Sequence, residues 1–292
     1  MKDQNDFSQS EKQIADYFLR EKDKIRKQGI RTISKNCYAA ASSVVRFCQK
    51  IGFAGLDEFK EEYLQELDYY AKHFQDIDPN RPFEKDDDEL AAAGKIAALY
   101  HETVQDTLSL LDADTLKKAA TILDKETVYI LTLSSTVGIC KSFREKMMKI
   151  GRRVIILEDR RGMEYEIINA DKKNSAFLFL SYTGESEQIV AYASEAVKAG
   201  MSCAAVTSYG INRLSEIIPC SIRVSSKEKL VSSLGSFSFS ISTLYILDVL
   251  YAELFRLDYD RNRQRKKAAS QRESSPFYIS KGRKSSNSSL NE

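Results

Sequence analysis

Ala176-Phe177-Leu178-Phe179-Leu180-Ser181-Tyr182-Thr183-Gly184-Glu185-Ser186 decides how the second half of this chain is read. Five apolar residues without alternation describe a strand covered on both faces. The run ends in a hydroxyl-rich turn, and a helical pattern follows from Glu187 to Ala199, closed by Gly200. A strand, a small-residue turn and a helix N-terminus make a place for an anion. The first-turn N–H groups are free to point at it, and the helix dipole favours negative charge. Ser181, Thr183 and Ser186 add hydroxyls, and Gly184 lets the backbone come close. There is no Gly-x-x-x-x-Gly-Lys pattern, so a small phosphorylated ligand fits better than a nucleoside triphosphate. The same hydroxyls would also serve as plain helix caps.

Strand and helix patterns alternate around this stretch. Strands are expected at 128–133, 153–157, 176–180, 203–207 and 221–224, and helices at 138–150, 164–170, 187–199 and 212–217. Such alternation implies right-handed crossovers and a parallel sheet with helices on both faces. Ligands of these sheets sit at the carboxyl ends of strands, where strand order reverses. Ser134 and Ser135 after the first strand would face the Ser181 loop if the two strands are neighbours, and Thr207-Ser208-Tyr209 would form a third wall. Asp114 reads as the cap of a helix at 116–123. The pattern from about 230 to 255 is apolar around much of its circumference, as in a buried helix or a subunit interface.

The first seventy residues read differently. Ser8-Gln9-Ser10-Glu11 fits a capping box, with Ile14, Tyr17, Phe18 and Leu19 as the stripe of the helix it opens. From Arg20 to Lys50 there are nine bases and two acids, net +7, although the whole chain is only +2. Two short helical patterns lie in this window, at 30–37 and 41–51. The second turns Val44, Phe47, Cys48 and Ile51 inward and ends at Gly52. Its other face carries Ser42, Ser43, Arg46, Gln49 and Lys50, residue types that read base edges and phosphates. Two short helices joined by a tight turn, the second with such a face, describe a helix-turn-helix on double-stranded DNA. The bland alternative is a small helical bundle with a solvated polar face.

Ser43-Val44-Val45-Arg46-Phe47-Cys48-Gln49-Lys50-Ile51-Gly52-Phe53 resembles the signature of the RpiR/MurR-type transcriptional regulators, in which a helix-turn-helix precedes a sugar-isomerase (SIS) domain. Residues 10–17 and 55–60 resemble that family's first and fourth helices. The family usually has Gly in the turn where this chain has Tyr38, and Ser where it has Ala40. In the second half, Ser181-Tyr182-Thr183-Gly184-Glu185-Ser186 is similar to the S-x-[ST]-G-x-[ST] phosphate loop of SIS domains. The resemblance implies phosphate contacts from Ser181, Thr183 and Ser186 around Gly184, with Ser134 and Ser135 from the first loop. It also implies a five-stranded parallel sheet and at least a dimer. The first loop departs from the family's Gly-x-Gly-x-Ser, reading Leu133-Ser134-Ser135-Thr136-Val137-Gly138.

The expected fold is α/β overall: an all-α helix-turn-helix domain at 1–75, a linker and connecting helix at 76–111, an α/β/α SIS domain at 112–258, and a disordered basic, Ser-rich tail at 259–292. The linker follows from Asp78-Pro79-Asn80-Arg81-Pro82 and from thirteen acids against four bases between Asp57 and Glu89. The tail holds nine bases, two acids and eight serines from Arg261 on. Five scattered cysteines without a C-x-x-C pair read as reduced thiols rather than a disulfide frame or zinc site. No stretch reaches about 18 apolar residues, so no membrane span is expected and the protein is placed in the cytoplasm.

The expected function is a DNA-binding transcriptional regulator of carbohydrate metabolism that senses a phosphorylated sugar, acting as a homodimer or homotetramer on a palindromic operator. No cofactor, metal or catalytic residue is expected. One alternative is a phosphosugar isomerase, which needs a base in the pocket. Both histidines, His73 and His101, precede the SIS-like half, leaving Glu185 and Glu228 as candidates. Glu228, the better placed, is taken as a ligand contact. The other alternative is an SIS protein whose helical head binds another protein.

Overall fold

A computed structural model of the protein describes residues 7–73, 77–133, 136–158, 160–225, 227–229 and 232–273. The chain divides into two units, Met1–Asp76 and Ile77–Glu292.

The first unit is helical: α1 (Gln9–Glu21), a 3-10 segment over Lys22–Lys27, α2 (Ile30–Asn36), α3 (Ala41–Lys50) and α4 (Leu56–His73). The capping box forms as read, with Ser8 N donating to Glu11 Oε2 and Glu11 N donating to Ser8 Oγ. Phe18 is the hub of the core. Its ring centroid lies 4.6 Å from Phe59 and 6.5 Å from both Phe47 and Tyr63. Val44, Phe47 and Cys48 are buried on the inner face of α3. Leu19, expected in the stripe of α1, is instead 42% exposed.

The turn between α2 and α3 holds Tyr38 at φ +54, the left-handed conformation that suits glycine, and its side chain is 91% exposed. That conformation costs an ordinary residue roughly 1–2 kcal/mol, while glycine loses about 0.4–1 kcal/mol through unfolded-state entropy. Tyr38→Gly is therefore expected to raise the stability of this unit by about 0.5–1 kcal/mol, measured by calorimetry on its unfolding transition. A lower transition temperature would refute the strain.

The second unit begins with α5 (Glu89–Ser109) and α6 (Ala113–Leu123). Five strands follow: β1 (Thr127–Thr132), β2 (Arg153–Leu157), β3 (Ser175–Leu180), β4 (Ser202–Ser208) and β5 (Ser221–Val224). All pairings are parallel, in the order β2-β1-β3-β4-β5. Successive strand residues alternate between two cores. Val128, Ile130, Leu178 and Val206 meet α6, α7 (Thr136–Lys149) and α11 (Phe237–Arg256) on one face. Tyr129, Leu131, Phe177 and Phe179 meet α8 (Arg160–Asn169), α9 (Glu187–Lys198) and the region of α10 (Arg213–Ile217) on the other. This is a three-layer α/β/α fold. Among the described residues, α11 alone is long and apolar enough to cross a membrane, but Phe239, Ile246, Leu247, Leu250 and Leu254 are buried in the first of these cores.

Several boundaries differ from the sequence reading. Asp112, not Asp114, caps α6, accepting from Thr115 N. α5, in the stretch read as the connecting helix, leaves Tyr100 and Leu108 exposed. It buries Leu99, Thr103, Asp106 and Thr107, and pairs Thr103 with Ser238 and Thr107 with Ser242 across to α11. The long apolar helix starts at Phe237 rather than near residue 230. The tail expectation is corrected over its first part: Tyr259–Glu273 forms a helix, α12. Asn262 donates to Leu254 O and Phe255 O, and Arg265 donates to Ile150 O at 2.9 Å. These two side chains satisfy carbonyls at the ends of α11 and α7. The composition of the segment conceals that anchoring. Residues 274–292 lie outside the described residues.

Candidate functional site

Strand order reverses between β1 and β3. The chain moves outward from β1 to β2, then returns to β3 and moves outward the other way to β4. These central strands are paired up to Thr132 and Leu180, so the loops after them lie side by side. In the first loop, the hydroxyls of Thr132 and Thr136 hydrogen-bond to each other, and Thr136 Oγ1 also donates to Leu133 O at 3.3 Å. Ser134 and Ser135 lie outside the described residues.

The second loop is tightly defined. Ser181 N donates to Val206 O, and Tyr182 O accepts from Ser208 N and Thr207 Oγ1, which extends the tie to β4. Ser181 is buried, while Thr183 and Ser186 are half-buried. Gly184 has φ +66, its N–H donates to Ser181 O, and its carbonyl accepts from Leu214 N. A Cβ there would overlap Asn212 and reach 2.8 Å from Thr207 Oγ1. Thr183 Oγ1 accepts from Glu185 N at 3.2 Å. Ser186 is the N-cap residue of α9, yet its hydroxyl makes no capping bond. The plain-capping explanation therefore fails for Ser186. The first turn of α9 keeps its N–H groups beside an uncommitted hydroxyl, the arrangement that receives an anion.

The two candidate bases have other employment. Glu185 Oε1 accepts from Arg213 N at 3.0 Å, at the start of α10. Glu228 is buried, and its Oε2 accepts from Phe239 N at 2.8 Å in the first turn of α11. Burial pushes the Glu228 carboxyl above its ordinary range, opposed by the backbone N–H groups of Phe239, Phe237 and Ser238. Its Oε1 is buried without a hydrogen-bond partner. Tyr182 OH donates to Glu228 O at 2.7 Å, which links the phosphate-type loop to the β5–α11 loop. Neighbouring Lys227 is buried too. Burial lowers its ammonium to about 8, and Asp106 and Glu102 of α5 act in the opposite sense. Sequence reasoning missed Tyr182, Lys227 and Asn212, whose amide both caps α10 and walls Gly184. Their signal is tertiary, apart from Asn212, which opens a recognisable capping box.

In the first unit, Ser42 and Arg46 are exposed on one face of α3, and Ser43 is half-buried beside them. Gln49 and Lys50 share the face but are engaged within the unit. Gln49 Nε2 donates to Ala54 O at 3.3 Å. Lys50 Nζ lies 2.9 Å from Glu11 Oε2 and 5.5 Å from the centre of the Phe7 ring. The Lys50 ammonium, with the backbone N–H of Ser8, holds the Glu11 carboxyl below its usual range.

Comparison with known proteins matches residues 1–69 to the helix-turn-helix domain of the rpiR family and residues 121–252 to the SIS domain. An uncharacterized HTH-type transcriptional regulator of Caldanaerobacter subterraneus subsp. tengcongensis is 26% identical over 259 residues, covering 87% of this chain and 88% of its own. YbbH of Bacillus subtilis, likewise an uncharacterized HTH-type transcriptional regulator, is 26% identical over 254 residues, covering 86% and 87%. Among solved structures, the Vibrio vulnificus NanR protein complexed with ManNAc-6P superposes with a TM-score of 0.61 at 18% identity, over 92% of this chain and 94% of that one. The sugar isomerase domain of an RpiR transcription factor from Sphaerobacter thermophilus gives 0.54 at 13%, over 61% and 98%. With its helix-turn-helix, its five-stranded parallel sheet and both domain matches in this order, the chain belongs to the RpiR-type transcriptional regulators.

Proposed function

We propose that this regulator binds double-stranded DNA through α3 and senses a phosphorylated sugar through the loop Ser181–Ser186. The observation that carries the reading is the open N-terminus of α9 at the strand-order reversal, with the Ser186 hydroxyl uncommitted. The phosphate sits against Ser181, Thr183, Ser186 and the first N–H groups of α9, and the resemblance to SIS domains adds Ser134 and Ser135 as contacts. The buried, unpartnered Glu228 Oε1 suits a sugar hydroxyl as donor. NanR, of similar fold over nearly the whole chain, is complexed with ManNAc-6P, which places hexosamine phosphates first among ligands to try. A sensor rather than an isomerase is favoured because the similar full-length proteins are HTH-type transcriptional regulators, and because Glu185 is engaged at the start of α10. Two or four copies would present paired heads to a palindromic operator of carbohydrate-metabolism genes.

Thermal unfolding against a panel of sugar phosphates and the bare sugars tests the reading. A ligand bound only by the folded state adds about 2.7 kcal/mol at a hundredfold excess over Kd. One phosphosugar should raise the transition temperature, its bare sugar should not, and Thr183→Ala should lose the shift while retaining ligand-free DNA binding. A full panel without a shift would reject sensing at this loop.

A further inference from the structure

The segment just past the unit boundary is not a free linker. Asn80, four residues beyond Asp76, is tied to the β5–α11 loop by three bonds. Its Oδ1 accepts from Lys229 N at 2.6 Å, its Nδ2 donates to Lys227 O at 3.3 Å, and its carbonyl accepts from Leu234 N at 2.9 Å. The side-chain amide thus grips the residues immediately before and after Glu228. Asp78 Oδ1 sets that amide, accepting from both Asn80 N and Asn80 Nδ2 at 2.9 Å. Close by, Phe83 meets Phe237 edge-on, with centroids 6.2 Å apart. The far side of the same loop is held by Tyr182 OH on Glu228 O, and the Tyr182 ring packs on Phe239 at 4.8 Å.

We infer that Asn80 is a positioning residue of the phosphosugar site, holding Glu228 in place from the segment that follows the DNA-binding unit. The inference rests on the ligand reading above and extends it. A loop with no regular structure needs partners for its backbone groups, and Asn80 supplies them on both sides of one buried carboxylate. The tie runs both ways. If a bound sugar stabilises the clamped form of the loop, the clamped form of residues 78–80 must equally favour the sugar, because coupling between two equilibria is reciprocal. Ligand occupancy is thereby felt in the residues that lead out of the first unit, through Thr183, Tyr182, Glu228 and Asn80 in turn.

The test uses the full-length protein and three variants, Asn80→Ala, the isosteric Asn80→Asp and Asp78→Ala. The probe is whichever panel phosphosugar most raises the wild-type transition temperature, and the DNA is a duplex selected by the wild type from a random-sequence pool. Asn80→Ala should weaken the sugar about fivefold to tenfold and shrink the effect of sugar on DNA affinity, leaving sugar-free DNA affinity within about twofold. Asn80→Asp keeps the acceptor for Lys229 N but loses the donor bonds to Lys227 O and Asp78 Oδ1 and sets a second carboxylate against Asp78, so it should weaken the sugar at least as much as Asn80→Ala. Asp78→Ala leaves the Asn80 bonds to Lys227 and Lys229 in place, should fall between, and serves if the Asn80 variants do not fold. Wild-type sugar affinity in Asn80→Ala or Asn80→Asp, even with a lowered transition temperature, would make Asn80 a structural tie only. If the wild type responds to no sugar phosphate, the sensing reading fails and this assignment falls with it. A wild type that responds, beside Asn80 variants that respond equally, refutes the assignment alone.

Discussion

Gly184→Ala is expected to abolish phosphosugar binding and to cost about 2–5 kcal/mol of stability, the sum of a left-handed backbone penalty and an overpacked contact. Gly184 sits at φ +66, and an alanine methyl would overlap Asn212 Oδ1 and Cγ. Asn212 cannot step aside cheaply. Its Oδ1 accepts from Ser215 N at 3.1 Å, its Nδ2 donates to Ser208 O at 3.5 Å, and it caps α10. The strain is therefore relieved by moving the loop, which displaces Thr183 and the start of α9 together. Urea unfolding and calorimetric titration with the phosphosugar measure the two losses. Adding Asn212→Ala removes the Asn212 overlap but leaves the 2.8 Å approach to Thr207 Oγ1 and the positive φ, and it strips the cap from α10, so the double variant should recover little of either the stability or the binding. Wild-type affinity in Gly184→Ala would show that the ligand does not use this loop.

Arg46→Ala is expected to cost about 1–3 kcal/mol in binding to the selected duplex and to relax preference at one base position. That is roughly fivefold to 150-fold in affinity, at 1.4 kcal/mol per decade. Arg46 is exposed on α3, and among the described residues no carboxylate lies within ion-pair distance of it. Lys50 differs, being held by Glu11 of the capping box that opens α1. Lys50→Ala is the comparator: it should loosen the first unit more than it alters base preference. Competition binding with single-base operator variants reads both. If Arg46→Ala keeps full affinity and selectivity, α3 is not the reading helix, and a head that binds protein becomes the better account.

The features legible in the amino-acid order were those carried by neighbours in the chain. The Ser8–Glu11 box, the buried stripe of α3, the Gly52 stop and the unalternating β3 run depend on spacings of one to eight residues. The same holds for β2 and β5, whose limits agree with the expected 153–157 and 221–224. The hydroxyl loop at Ser181–Ser186 belongs to this group, because strand, glycine turn and helix start are consecutive. Other features needed partners far away. α5 turns Thr103 and Thr107 inward because Ser238 and Ser242 of α11 meet their hydroxyls, a pairing that no local spacing announces. α12 is anchored by Asn262 and Arg265 on carbonyls left open at two other helix ends. Glu185 and Glu228 look like surface acids in sequence and become caps only when α10 and α11 arrive. Asn80 lies in a stretch that composition marks as a linker, and its carboxamide finds its partners 147 and 149 residues further on. Local order determined where the strands, most of the helices and the hydroxyl loop lie. Tertiary structure alone decided which polar groups remain uncommitted for a ligand, because a buried donor or acceptor must be paired and its partner is set by packing rather than by proximity in sequence.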